Sequence, residues 1–205
     1  MEKISLNNET IELVDNDLEI TIDGVCKLYI INKSYNLVIN LCDNSKLDVY
    51  DFNVTNTNNS LVINQSNNTE FNYYHSFKID GDKLLDIKAY INGNKNINKI
   101  NIYGISNGYA NILVDGIVKQ GSKDNVLDEN IKVLTIGGKC FTKPMMHINV
   151  KECIANHNTA ISNVREDEIF YLMSKGITRD KAVELISDGY LYGLYKDHDF
   201  LEKVR

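Results

Sequence analysis

The four histidines and four cysteines of this 205-residue chain have the chemistry to hold a metal or act as nucleophiles. Cys26, Cys42, Cys140 and Cys153 are 16, 98 and 13 positions apart with no C-x-x-C pair, so neither a zinc ribbon nor a thioredoxin-like site fits. They are expected to be free thiols, mostly buried. Among the histidines, His75 lies between Tyr73, Tyr74 and Phe77 and reads as a partly buried core residue. His147 alternates with Met145 and Asn149 on a strand, and His198 falls in an exposed, charged tail. His157 differs, because Asn156, Asn158 and Thr159 around it are small and polar and a helical segment follows. A histidine there is exposed and open to orientation by local hydrogen bonds, as a metal ligand must be, although a plain surface histidine fits the same context.

Most enzyme signatures are missing. Gly137-Gly138-Lys139-Cys140 has the lysine of a phosphate-binding loop but lacks the upstream glycine at the right spacing and the following hydroxyl. H-E-x-x-H, G-x-S-x-G and an EF-hand loop are absent, and Asn92, Asn94, Asn96 and Asn98 offer amides without the carboxylates that calcium needs. A β-helical polysaccharide lyase needs acidic and basic groups along one groove, whereas the only arginines, Arg165, Arg179 and Arg205, follow the β-rich region. No enzyme is expected. The net charge of -6 argues against nucleic acid or an anionic membrane as partner. With no 18-residue apolar run and a polar, acidic start, MEKISLNNETIEL, a cytoplasmic location is expected, and the N-x-S/T sequons are read as unglycosylated.

The elements that would position these residues fall into two parts. From Glu9 to about Val150 apolar residues alternate in short bursts, such as Leu18, Ile20, Ile22 and Leu37, Ile39, Leu41, the mark of strands with one buried face. Asp80-Gly81 and Asn107-Gly108 are the only good hairpin signals, too few for an up-and-down barrel, so an all-β parallel solenoid is favoured. The 28 asparagines, none beyond Asn163, suit rounded solenoid corners and axial side-chain stacking, and a biased coding sequence would produce them equally. After Val164 the texture turns helical. Glu166, Asp167 and Glu168 lead a helix with Ile169, Leu172 and Met173 on its inner face, and Gly176 stops it. Thr178 caps a second helix with Ala182, Leu185 and Ile186 inward and Gly189 interrupting or ending it. The expected division is a β-helix core, 1–163, and a C-terminal helical subdomain, 164–205, that caps the last coil or meets a partner.

The segment KPMMHINVKECIANHNTAISNVREDEIFYLMSKGITRDKAVELISDGYL, Lys143 to Leu191, resembles the C-terminal core of the SufB/SufD family, scaffold subunits of the Suf iron-sulfur cluster assembly system. The resemblance is carried by Pro144, Met146 and Ile148 on a strand, and by His157 followed by Thr159, Ala160 and Ser162. The acidic cluster Glu166–Glu168 then leads into Phe170, Tyr171, Leu172, Ser174, Gly176 and Ile177, with Ala182, Leu185 and the pair Gly189-Tyr190 beyond. It is collinear and ungapped; upstream, only the strand texture and D-G-I-V-K at Asp115–Lys119 agree. The resemblance implies a right-handed parallel β-helix with a C-terminal helical hairpin, a short SufD-like member whose strands begin almost at residue 9, without room for an N-terminal helical region.

In function, the resemblance implies a non-catalytic scaffold that dimerises through its β-helix, with a SufB/SufD-type partner or itself, and docks a SufC-like ABC ATPase through its C-terminal helices. His157 would contribute to a transient iron-sulfur cluster or iron site shared with the partner subunit. Asn156 and Asn158 stand where the SufB-type motif has glutamates, and Glu129 and Asn130 stand near the place of a cysteine about 28 positions upstream. One imidazole with amide neighbours cannot hold a cluster alone, so Glu129 as a hard oxygen ligand and Cys153 or Cys140 as the nearest thiols complete the candidates. Two other readings stay open: a scaffold without cluster chemistry, and a structural or carbohydrate-binding β-solenoid using Tyr73, Tyr74 and Tyr103 to stack on sugars.

Overall fold

A computed structural model of the chain describes all of residues 1–205. Seven strands open it: β1 (Glu2–Asn7), β2 (Thr10–Glu12), β3 (Asp17–Asp23), β4 (Val25–Ile31), β5 (Tyr35–Leu41), β6 (Lys46–Asn53) and β7 (Asn58–Gln65). Seven more follow: β8 (Glu70–Ile79), β9 (Asp82–Ile91), β10 (Ile97–Ser106), β11 (Tyr109–Val118), β12 (Asn125–Thr135), β13 (Lys139–Ile148) and β14 (Cys153–Asn163). Three helices end the chain: α1 (Glu166–Ser174), α2 (Arg179–Tyr192) and α3 (His198–Val204).

Consecutive strands never pair. Odd strands form one seven-stranded sheet in the order β1-β3-β5-β7-β9-β11-β13, and even strands form the other, β14-β12-β10-β8-β6-β4-β2. Neighbours within each sheet run parallel, as in β10 beside β12 and β11 beside β13. The chain therefore steps between two facing sheets, which is a parallel β-helix, and the all-β solenoid expected from the alternation is its architecture. The strands begin at Glu2 rather than near residue 9, since Ile4 and Leu6 already alternate into the core.

Because the strands stack in register, each inward side chain meets the inward side chains of the rungs above and below. Leu18, Leu37, Leu61, Ile87 and Val114 form one such row in the odd sheet. Such rows make up most of a lumen core of 33 buried residues. Burial of this apolar surface is the main stabilising term, at roughly 25 cal/mol per Å².

The corners explain much of the asparagine. Asn8, Asn32, Asn44 and Asn68 have left-handed backbones with φ between 51° and 64°, where asparagine is tolerated better than most residues. Their side chains also tie rungs together: Asn68 Nδ2 donates to Asn44 Oδ1 at 2.8 Å. At the adjoining position the Asn67 N–H donates to Asp43, the Asn94 N–H to the Asn67 side chain and the Lys123 N–H to the Asn94 side chain. Asp80-Gly81 and Asn107-Gly108 are corners between the two sheets rather than hairpins. Glycine is required there by close stacking, because a Cβ on Gly108 would lie 2.1 Å from the Gly81 carbonyl oxygen.

The helices lie on the outer face of the even sheet. Tyr29, Tyr50, Phe52, Ile105 and Leu134 project from that face and form a second core with Leu191, Tyr195 and Phe200. Instead of a hairpin there are three helices, since the charged tail containing His198 folds as α3 behind an Asp197 cap. Thr178 caps α2, and Gly176, at φ +85°, ends α1, both as expected. The inner faces shift from the expected ones: Ile169 is buried but Met173 is exposed, and α2 buries Ala182, Ser187 and Leu191 while Leu185 is exposed. The β-sheet, not a second helix alone, is the surface they pack against, so the buried stripe follows the sheet. Gly189 lies within α2, which runs on to Tyr192.

Several inward polar groups are paired with one another. The Asp51 carboxylate accepts the Tyr35 and Tyr73 hydroxyls at 2.7 and 2.8 Å and lies 2.9 Å from His75 Nδ1. His75 is fully buried rather than partly so. Lys83 Nζ donates to Thr57 Oγ1 and Asn59 Oδ1, both at 2.8 Å. Burial presses Lys83 down to about 8, against the attraction of Asp51. Burial would raise the Asp51 carboxyl, yet His75, Lys83 and its hydrogen bonds hold it below the usual range.

Two glycine substitutions test this packing with opposite signs. Gly189→Ala, with open space around its Cβ in a helix interior, is expected to gain roughly 0.5–1 kcal/mol in chemical denaturation. Gly108→Ala is expected to lose roughly 1–3 kcal/mol as the stacked corner is forced apart. Equal effects would contradict the stacked-corner description.

Candidate functional site

One inward row of the even sheet changes character along its length. It runs Leu28, Val49, Tyr73, Ile100, Glu129 and His157 in strict register from β4 to β14. Four apolar or aromatic residues are thus followed by a carboxylate and then by an imidazole at the last rung. Neighbouring strands are about 4.8 Å apart, and in register they send these two side chains to the same face. The opposing row in the odd sheet shrinks over the same rungs, through Ile20, Ile39, Ile63, Ala89 and Gly116. A Cβ on Gly116 would lie 3.1 Å from Glu129 Oε1 and 2.9 Å from Leu127 Cδ2. The taper therefore makes the space that the Glu129 carboxyl occupies.

Glu129 is 1% exposed, and neither carboxyl oxygen has a hydrogen-bond partner. Burial, with the Asp115 charge adding to it, pushes the carboxyl up to about 8, so it is protonated at neutral pH. A buried carboxyl without hydrogen-bond partners is costly to a fold. His157, over it on β14, is exposed, because no further rung covers that side.

Cys153 begins β14 opposite Asn125, four residues before His157 and on the same inward parity, and is half-buried against the lumen core. Cys140 is half-buried on β13 across the lumen. Burial raises both thiols, Cys140 to about 11, which keeps them protonated rather than as the thiolates that bind metals. All four cysteines are free. Register thus joins His157 and Glu129, with Cys153 along the same edge. No group of three or more His, Cys, Asp or Glu side chains converges within the chain. Two donors alone are too few to hold an iron-sulfur cluster.

His147 projects outward from β13 with Nε2 3.2 Å from Asp115 Oδ1, and His198 is exposed on α3. Among the candidate sugar-stacking aromatics, Tyr73 is fully buried, Tyr74 stacks on Tyr50 and Tyr103 packs on Tyr190. Tyr73 is therefore inaccessible to a sugar, and Tyr74 and Tyr103 each have a ring face against another tyrosine. On the helices, Phe170 and Tyr171 of α1 are 60% and 64% exposed, with Met173 and Leu185 nearby in the sequence of that layer also exposed.

The lumen cluster of Asp51, His75 and Lys83 was not anticipated from sequence. Its signal is parity: Lys83 is in phase with the inward Leu85 and Ile87, as Asp51 is with Leu47 and Val49.

Residues 33–190, more than half of the chain, match the model of the SUF system FeS cluster assembly, SufBD core domain. The chain is similar to an iron-sulfur cluster assembly SufBD family protein of Pyrococcus horikoshii, 39% identical over 56 residues, covering 27% of this chain and 13% of that protein. A SufBD family protein of Staphylococcus aureus USA300 is 29% identical over 97 residues, 45% of this chain and 21% of the relative. One of Mycobacterium bovis is 30% identical over 77 residues, 38% and 9% respectively. The matched stretches thus span less than a quarter of these relatives. With its β-helix carrying the core-domain match from Lys33 through the helical Tyr190, this chain belongs to the SufBD family of the SUF iron-sulfur cluster assembly system.

Proposed function

We propose that this chain is a non-catalytic scaffold subunit of a Suf-type assembly complex. The observation that carries the reading is the partnerless Glu129 carboxyl beneath an exposed His157 at an uncovered end rung. The uncovered β13 and β14 edges offer unpaired backbone groups and a half-buried apolar face to a SufB/SufD-type subunit or a second copy. Across that junction His157 and Glu129 meet donors from the partner, and the iron or nascent cluster is the cargo held between them. Cys153 stands by as a third donor on the same edge. The imidazole and carboxylate supply nitrogen and oxygen ligands, and loading the site displaces the proton that Glu129 carries.

The exposed Phe170 and Tyr171 on α1 support the second half of the reading, in which the helical layer, 164–205, receives a SufC-like ABC ATPase while the β-helix core, 1–163, dimerises. The family's place in cluster assembly makes that ATPase the expected partner.

Three measurements test the reading. Anaerobic reconstitution of the assembled complex with iron and sulfide is expected to load at least several-fold less metal with His157→Ala or Glu129→Gln; loading equal to wild type would leave a scaffold without cluster chemistry. The double substitution Phe170→Glu, Tyr171→Glu is expected to cut co-purification of the ATPase at least tenfold while changing stability by only about 0.5 kcal/mol, since both residues are exposed. Full retention of the ATPase would remove α1 from the dock. Finally, Glu129 keeps its proton in the folded chain up to about pH 8 but loses it near 4.5 when unfolded. The folded state binds more protons between those values, so stability falls as pH rises from 4.5 to 8. Denaturation at pH 5 and pH 8 is expected to show that loss in wild type relative to Glu129→Gln, and parallel curves would contradict the protonated carboxyl.

A further inference from the structure

The last rung brings a further side chain to the level of His157. A Cβ on Gly116 would lie 3.1 Å from Glu129 Oε1, so these two positions face each other across the lumen. One rung on, β13 sets Met146 beside Gly116 and β14 sets His157 beside Glu129. Met146 and His157 therefore face each other at the mouth of the lumen, above the Gly116 and Glu129 pair, with no further strand beyond them. Met146 is half-buried and packs against the lumen core. Its neighbours Met145 and His147 have the opposite parity, with His147 turned to Asp115 on the outer face.

The odd row gives that placement its meaning. It runs Ile20, Ile39, Ile63, Ala89, Gly116 and then Met146, so side-chain bulk falls to nothing opposite the carboxyl and returns at the next rung as a long, unbranched thioether. Covering an apolar lumen end takes only an aliphatic, as β13 uses at Ile148. Methionine adds a polarizable sulfur on three rotatable bonds, long enough to reach the space that Gly116 leaves. On β14 the inward neighbours of His157 are Ala155 and Thr159, both small, so the mouth is uncrowded on that side.

A thioether donates a sulfur lone pair without first losing a proton, and it belongs with the soft ligands that select iron-sulfur clusters rather than calcium or magnesium. Methionine beside histidine already holds iron in haem proteins. Cys153, by contrast, must be deprotonated to bind a metal and stands four residues from His157 along β14, roughly 13 Å at about 3.3 Å per residue. The sulfur on the level of His157 is that of Met146. We propose that Met146 is a metal-ligating residue of the end-rung site, its thioether meeting the cargo from the odd sheet while His157 and Glu129 meet it from the even sheet. This rests on the reading of the end rung as the cargo site, and it gives that site a third donor and a soft one.

Selenium X-ray absorption tests this on the assembled complex, with selenomethionine in this chain alone and the site loaded anaerobically with iron and sulfide. A selenium–iron scattering path is expected in wild type and in Met145→Leu. It is expected to be lost in Met146→Leu, a swap of like volume that cores tolerate, and iron loading there is expected to fall several-fold. If loaded wild type shows no such path, or if the path survives Met146→Leu, Met146 is apolar cover only and the inference is overturned. In that case a loss of loading in His157→Ala leaves the end-rung reading standing. Loading in His157→Ala equal to wild type overturns the end-rung reading and this inference with it.

Discussion

In a parallel β-helix the inward face of each rung is buried by the opposing sheet and by the rungs above and below it. The layout of the β-body follows from that dependence. Within the body it is met by rows such as Leu18, Leu37, Leu61, Ile87 and Val114, and by corner asparagines that reach along the axis. At the last rung, β13 and β14 are edge strands with no further strand beside them. Cys153, Ala155 and His157 continue the inward parity of β12 with nothing beyond them, and repeat architectures need such ends covered. The chain places its orphan carboxyl immediately below that open rung and removes side-chain bulk opposite it at Gly116. On the proposed reading, this open lumen end is where another surface meets the chain.

The helical layer answers a different need. It covers the outer face of the even sheet, where Tyr29, Tyr50 and Phe52 would otherwise be exposed, and it leaves the end rung open. Because Tyr195 enters the sheet beside Asp51, the two cores are joined by a hydroxyl as well as by apolar contact. The helical layer and the end rung thus occupy separate faces of the chain, with sheet register running between them.

Much of this was legible in sequence because a solenoid writes its fold locally. Period-two alternation such as Leu37, Ile39, Leu41 needs no long-range information, and scarce hairpin signals pointed to parallel strands. Thr178 and Gly176 worked as cap and stop because capping is also local. The partnership of Glu129 with His157 was indicated only by family resemblance, since 28 positions separate them and only rung length sets the register. Helix faces were misread at Met173 and Leu185 because the buried stripe is selected by the sheet beneath, which the helix sequence does not describe. Similarly, Asn107-Gly108 is locally a turn; that its strands go to different sheets depends on the rungs around it.

The central claim is that the β13–β14 end is finished by another subunit. Amide hydrogen exchange, compared between the chain alone and the assembled complex, addresses it most directly. Slowed exchange concentrated in β14 and β13, including the amides around His157, is the predicted result. Unchanged exchange at that edge, with protection appearing only elsewhere on the chain, would contradict the account.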